Sequence, residues 1–425
     1  MIELDNPESL DFSTLVRPGD TVVCAQGVAE PLSLTRRLVA QRARIGRFNL
    51  FVGPSYTDTF LPEHGDFIAF RSYCGTSRNA PLVAAGILDV LPVHYSQLAP
   101  LYASGALRAD VVLLSASAPD AQGRFNLGLT RDYVIDAARH ARIVVLESTH
   151  RVPWVFGAEL PDDIRPDFVL HTDREPLTLD DRGNGNDPVE AAIASCVASL
   201  VPDGATLELG IGSLPERLLQ SLHGHRDLGI HSAVIGDGVV ALIEAGIVTN
   251  ARKPIDTGVT VAGLLMGTRR LYDFAQRNPQ VRLAPSSHTH ATAVMAALPD
   301  FFAINGAVEV DLSGQVNAES SNGRYIGAVG GQVDFVRGAN ASKGGRALMV
   351  LPSSAKGGRI SRIVPHLVDG IVTTARSDVD AVVTEFGIAE LRGKSLRDRA
   401  KALIAVAHPD HREMLERAAS ITTSR

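Results

Sequence analysis

Several protein classes are excluded by what this chain lacks. It has three cysteines in 425 residues, Cys24, Cys74 and Cys196, far apart, odd in number and without a CxxC pair. That usage supports neither a zinc site nor a disulfide framework, and a reduced cytoplasm is the expected compartment. Positive charge is not in surplus: 41 Lys and Arg against 47 Asp and Glu give a formal net charge of −6. There is no basic field for nucleic acid and no polybasic membrane patch, so any anion site has to be local. No stretch approaches the roughly 18 consecutive apolar residues of a membrane span. The acidic opening MIELDNPESLDFSTLVRPGD lacks the n-region and h-region of a secretory signal. His288 and His290 stand two apart on an extended segment with no third ligand close in sequence, so no metal is expected. Without a GxSxG elbow a Ser-His-Asp hydrolase has no support.

What the chain does contain is core-forming material in an α/β rhythm. Hydrophobic residues are 45% and charged residues 21%, enough for a substantial core, and the length calls for two or three domains. Short apolar runs predict strands at 20–24, 48–52, 87–93, 111–115 and 143–147, with helices at 31–44 and 130–140. Strands alternating with helices indicate βαβ units and a largely parallel sheet. The segment 172–188, TDREPLTLDDRGNGNDP, is charged and rich in Gly, Asp and Pro, and reads as a linker. A second α/β unit follows, with a helix at 188–200, a strand at 206–210 and a helix at 214–222; later strands are expected at 231–235, 303–304, 347–351 and 381–384. The expected division is therefore 1–180 and 181–425.

Three segments hold chemistry-bearing patterns. ELGIGSLP, from Glu208 to Pro215, is a strand running through glycines into a helix. Gly210 and Gly212 either make a tight turn or bring backbone N–H groups to an anion at the helix start. The adjacent Gly330 and Gly331 bring no side chain to a core. They form an unusual turn or present N–H groups beside a ligand, as an oxyanion hole does. Lys356 and Arg359 lie in a polar turn after a strand, where a solvated loop and a ligand contact both fit.

In combination these motifs resemble one family. Five ordered segments, LGIGSLPERLL, LGIHSAVIGDGVVALIEAGIVTN, MGTRRLYDFAQRNP, INGAVEVDLSGQVNAE with GGQVDFVRGA, and SRIVPHLVDGIVTTARSDVDAVVTEFGIAELRGKSLRDRA, resemble the acetyl-CoA hydrolase/transferase family. That family includes 4-hydroxybutyrate and butyrate CoA-transferases. SASAPDAQGRFNLG and LVRPGD extend the resemblance into the N-terminal half. It implies two α/β domains of the CoA-transferase fold, each with an open, mostly parallel sheet flanked by helices. It implies an acyl-CoA and a small carboxylic acid as substrates, with coenzyme A as substrate and no covalently bound cofactor. Neither nucleic acid nor membrane is an expected partner, and a homo-oligomer, by default a dimer, is expected. Residue by residue, Gly210, Ile211, Gly212, Ser213 and Leu214 match the CoA-binding turn, and Gly330 belongs with that set. Gly331 matches the glycine whose N–H polarises the thioester carbonyl, and Lys356 a lysine that contacts CoA. Asp334 and Phe335 match a pair that supports the glycine loop.

The resemblance also implies a covalent mechanism in which a glutamate attacks the thioester to give an acyl-glutamyl anhydride and then a glutamyl-CoA thioester. In the family this glutamate follows His or Tyr and then Thr or Ser, with Asp-Gly four residues on. Here the stretch is IHSAVIGDG, from Ile230 to Gly238, and Ala233 takes the glutamate's place. Four readings follow. A carboxylate enters from elsewhere, Glu63 first and Glu30 next; a dicarboxylate subgroup, such as one using itaconate or succinate, fills the space differently; the residue is an engineered knockout; or the chain binds acyl-CoA without transferring it. An acyl-CoA hydrolase, with water replacing the glutamate, is the enzymatic alternative.

Overall fold

The computed structural model describes residues 1–179 and 187–422. Its contacts divide the chain into two compact units. The first comprises Met1–Asp180, Val261–Thr289 and Ile326–Gly330; the second comprises Asp181–Thr260, His290–Tyr325 and Gly331–Arg425.

Unit 1 is built on eight strands: β1 (Ile2–Leu4), β2 (Thr21–Cys24), β3 (Phe48–Phe51), β4 (Ile68–Ser72), β5 (Leu88–Val90), β6 (Val111–Ser117), β7 (Ile143–Thr149) and β8 (Phe168–His171). They lie in the order β1-β8-β7-β6-β2-β3-β4-β5, every pair parallel. All seven residues of β6 are buried, as expected of a central parallel strand covered on both faces. Leu34 and Leu38, from the helix Leu32–Ala40, meet Val22, Leu50 and Leu113 of the sheet in one apolar cluster.

The predicted helices of this unit are shorter than their patterns. The expected helix at 31–44 breaks at Gln41 into Leu32–Ala40 and Arg42–Ile45. Gln41 is buried, and its side chain accepts from the Phe12 amide (2.6 Å) and donates to the Leu10 carbonyl (3.0 Å). The helix expected from residue 130 begins only at Val134. Asp132 there accepts from the Thr130 hydroxyl (2.8 Å) and the Val134 amide (3.0 Å), holding the preceding residues in a turn. Of the expected linker, 172–179 carries no helix or strand, and 180–186 lie outside the described residues. Asp187 accepts from the Val189 amide and caps the helix Pro188–Leu200.

In unit 2, β9 (Thr206–Leu209) lies between β10 (Gly229–Ile235) and the strand Phe301–Gly306, parallel to both. Beyond Phe301–Gly306 come Arg346–Val350 and Ala381–Thr384, also parallel, and then Gly387–Glu390, which is antiparallel. The helix Gln332–Ala341 packs Phe335, Val336 and Ala339 into the same cluster as Phe301, Ala303 and Ala347.

Candidate functional site

Strand connectivity fixes where a ligand site belongs in unit 2. From β9 the chain passes to β10 on one side, while Phe301–Gly306 and Arg346–Val350 extend the sheet on the other. The strand order thus reverses between β9 and Phe301–Gly306. In an open α/β sheet such a switch point leaves a crevice at the carboxyl ends of the strands.

The turn Gly210–Leu214 stands at that point. Gly210 is exposed, and a Cβ built on it meets nothing within 4 Å. Gly212 has φ +121° and ψ 176°, a conformation open essentially to glycine alone, and it caps the helix Ser213–Ser221. The first-turn amides of that helix have no intrahelical acceptor and favour an anion. Its N-terminal turn is tied down by Ser213, whose hydroxyl donates to Glu190 (2.5 Å), and by Glu216, which accepts from the Gly238 amide (3.2 Å).

Ala233 lies near the end of β10, half-buried against the unit 2 core. The preceding Ser232 donates to the Leu209 carbonyl (2.9 Å), tying β10 to the end of β9. Gly331 opens the helix Gln332–Ala341, and Gln332 donates to the Gly306 carbonyl (2.8 Å), so this helix start sits at the carboxyl end of Phe301–Gly306. The reason for glycine at 331 is a close approach. A Cβ there would lie 2.8 Å from His290 Nε2. His290 is 3% exposed, and burial, followed by the charge of His231, lowers its pKa to about 3, so the ring is neutral. Phe335 stands 4.6 Å from the His290 ring, and Asp334 is buried beside it in sequence.

Lys356 is exposed in the turn between Ser354–Ala355 and Ile360–Ser361, at φ +51°. Its carbonyl accepts from Arg359 (2.9 Å), which directs that guanidinium back onto the loop. The loop base is fixed by Ser353, whose amide and hydroxyl both donate to Glu385 (2.8 and 2.6 Å). The structure therefore gathers Gly210–Leu214, Ala233, Gly331 and Lys356 onto unit 2, Ala233 two residues before the end of β10 and the others at or after the carboxyl end of a strand. Gly330 falls to unit 1, at φ +53°, where its carbonyl accepts from the Tyr95 amide (2.8 Å).

Glu63 and Glu30 also belong to unit 1. Glu63 is exposed in the short helical turn Pro62–Asp66. Glu30 is 2% exposed and accepts from the hydroxyls of Thr35 (2.7 Å) and Thr57 (2.8 Å). Burial raises its pKa, against the pull of those hydroxyls and of Arg174.

One residue of this site escapes sequence reasoning. Glu208, in β9, is 4% exposed, and its Oε2 accepts from the Asn305 side-chain amide at 2.8 Å. Burial pushes its carboxyl up to about 8, only partly opposed by Asn305 and the Ile304 backbone. The signal that finds it is a Glu inside a strand covered on both faces, directly before the glycine turn.

Two parallel α/β units, with an open glycine turn at a switch point, make this chain an α/β protein of the ligand-binding kind. It belongs to the acetyl-CoA hydrolase/transferase family: residues 8–166 match the acetyl-CoA hydrolase/transferase N-terminal domain and residues 267–419 the C-terminal domain. It is 39% identical to the 4-hydroxybutyrate coenzyme A transferase of Clostridium kluyveri, over 93% of this chain and 92% of that protein. The succinyl-CoA:cyclohexane-1-carboxylate CoA transferase of Geobacter metallireducens is 34% identical, over 96% of this chain and 94% of that one. Among solved structures, RipA from Yersinia pestis superimposes with a TM-score of 0.92 at 32% identity, covering 99% of this chain and 97% of RipA.

Proposed function

We propose that this chain is an acyl-CoA:carboxylate CoA-transferase, moving CoA between a short-chain or small dicarboxylic acyl-CoA and a carboxylate such as acetate or succinate. The observation that carries the reading is the near full-length match to relatives named as CoA transferases. The turn Gly210–Leu214, with Gly330, Gly331 and Lys356, binds the CoA ester, and the Gly331 N–H polarises the thioester carbonyl. Coenzyme A is a substrate here, not a resident cofactor. The proposed division near residue 180 leaves the CoA-binding motifs in 181–425, with 261–289 and 326–330 of that stretch packing into unit 1. No described helix is long and apolar enough to cross a membrane. A cytoplasmic homodimer is part of the proposal, the compartment resting on the sparse, widely spaced cysteines and the dimer on the usual default for soluble oligomers.

With Ala233 at the family's glutamate position, transfer needs a carboxylate from elsewhere, for which the sequence puts forward Glu63 and Glu30. The test is incubation with acetyl-, butyryl-, succinyl- or itaconyl-CoA and a panel of carboxylates, with masses and free thiol followed together. A new acyl-CoA supports the transferase. Thiol release without exchange replaces it with a hydrolase, and binding without either replaces it with an acyl-CoA binder.

A further inference from the structure

Resting on the transferase reading, we infer that Glu208 is the carboxylate that attacks the acyl-CoA, taking over from the vacant position at Ala233. Three observations place it there. The first is register. Ala303 pairs with Glu208 on one side, and Ile230 pairs with Leu207 on the other. One step further along, His231 is level with Glu208, and Ala233 and Asn305 are both level with Gly210. Because side chains alternate along parallel strands, Glu208, Ala233 and Asn305 share one face of the sheet. Strands about 4.8 Å apart, rising about 3.3 Å per residue, set the Cα atoms of Glu208 and Ala233 about 8 Å apart.

The second observation is the direction of the side chain. The carboxylate is bonded to Asn305, which lies level with Gly210 rather than with Glu208 itself. It therefore leans up the strand to the level of Ala233 and sideways toward Phe301–Gly306 and the switch point, Ala233 lying on the other neighbour of β9. The third is space. Gly210 has no side chain on this face, and a Cβ there would meet nothing within 4 Å. Ala233 supplies only a methyl group on the other side. Neither position adds a side chain larger than a methyl group on this face, although Glu208 itself is only 4% exposed.

Glu208 has no ion-pair partner among the described residues, and only the Asn305 side-chain amide and the Ile304 backbone hold it. A buried acid satisfied so sparsely is costly to keep unless it has work to do. His231, level with Glu208, has Asp256 and His288 within 4.8 Å of its ring, and the buried His290 is neutral.

The chemistry closes on itself. A Glu208 oxygen forms a bond to the thioester carbon and the C–S bond breaks, giving an anhydride and CoA thiolate. The thiolate then attacks the Glu208 carboxyl carbon, expelling the donor acid and leaving a glutamyl-CoA thioester. An acceptor carboxylate attacks that carbon and releases thiolate, which takes the new acyl group from the second anhydride. Glu208 is restored, with no net change in protons or electrons.

The test begins with wild-type chain and succinyl- or butyryl-CoA without acceptor, followed by borohydride reduction of any glutamyl thioester and peptide mapping. Modification at Glu208 is expected; modification at Glu63, Glu30 or any other residue overturns the assignment. Glu208→Gln keeps an acceptor for Asn305, so the fold and CoA binding by calorimetry should persist while exchange falls about 1,000-fold or more. Exchange at the wild-type rate in this variant also overturns it. If the variant fails to fold, the peptide map of the wild-type chain decides alone. Absence of exchange by the wild-type chain with every donor and acceptor overturns the transferase reading itself, and Glu208 as its nucleophile with it.

Discussion

Gly331→Ala adds one methyl group where its neighbours leave no space for it. At φ −89° the backbone of Gly331 suits any residue, so the whole penalty is steric. A Cβ there would stand 2.8 Å from His290 Nε2, 3.0 Å from its Cδ2 and 3.2 Å from Phe335 Cε2. Comfortable contacts between such atoms begin near about 3.5 Å. Neither ring has room to retreat, since His290 is 3% and Phe335 1% exposed. Overpacking of this kind costs about 1–3 kcal/mol. For a unit of this size each kcal/mol lowers Tm by about 2–4 °C, so the variant should melt about 2–12 °C below wild type by circular dichroism. A double-mutant cycle with His290→Ala isolates the cause. With the ring gone the methyl fits, and the two losses should fall short of additivity by about 1–3 kcal/mol. Losses that add to within about 0.5 kcal/mol refute the packing argument. Acyl exchange should fall by about 100-fold in the single variant, because displacing the rings also displaces the amide at 331.

Three other expectations follow from the same site. Glu208 is raised from 4.5 to about 8, so between those pH values the folded chain holds a proton that the unfolded chain has lost, and stability falls as pH rises through that window. His290, lowered from 6.5 to about 3, works the other way, adding stability as pH rises between those values. The two slopes, each about 1.4 kcal/mol per pH unit, oppose one another from about 4.5 to 6.5 and leave only the Glu208 decline from 6.5 to 8. Urea midpoints should show that upper decline in wild type and lose it in Glu208→Gln; an equal decline in the variant excludes Glu208 as its source. Gly212→Ala forces a side chain into φ +121° and should cost about 1–3 kcal/mol. Gly210→Ala, two residues away in open space, should cost almost nothing, and equal urea midpoints for the two would contradict the turn geometry. Asn305→Ala removes the amide donor to Glu208, raising that carboxyl further and costing about 1–3 kcal/mol. Its check is the pH profile of exchange, whose rise should move to higher pH than in wild type.

The sequence discloses elements whose cause is local. The run 111–114 is continuously apolar because β6 is central, and the helix at 188–200 shows both its Asp cap and its proline start. Strand β4, IAFRS, hides because only alternate residues are buried and Arg71 is exposed, pairing with Asp89 (3.2 Å). β1 is legible only through its partner β8, more than 160 positions away. The same division holds at the site. The turn at Gly210–Gly212 announces itself through a strand–glycine–helix pattern. The close approach behind Gly331 depends on His290, which lies 41 positions earlier and comes near only in the folded unit. Glu208 in TLEL reads as the outward side of an ordinary strand, and only coverage of both sheet faces turns it into a buried acid.

In-register parallel pairing has a consequence for how such a protein changes over time. Neighbouring strands in unit 2 form a grid of attachment points, each facing the same way as the point beside it. A functional group can migrate from one strand to the next by two point substitutions, without the main chain altering course. Position 233 without its acid and position 208 with one are diagonal neighbours on that grid. A chain exchanging them, Glu208→Ala with Ala233→Glu, would carry the same acid on the same backbone, which makes the pair a direct measure of how far a reaction centre can be relocated while its scaffold stays still.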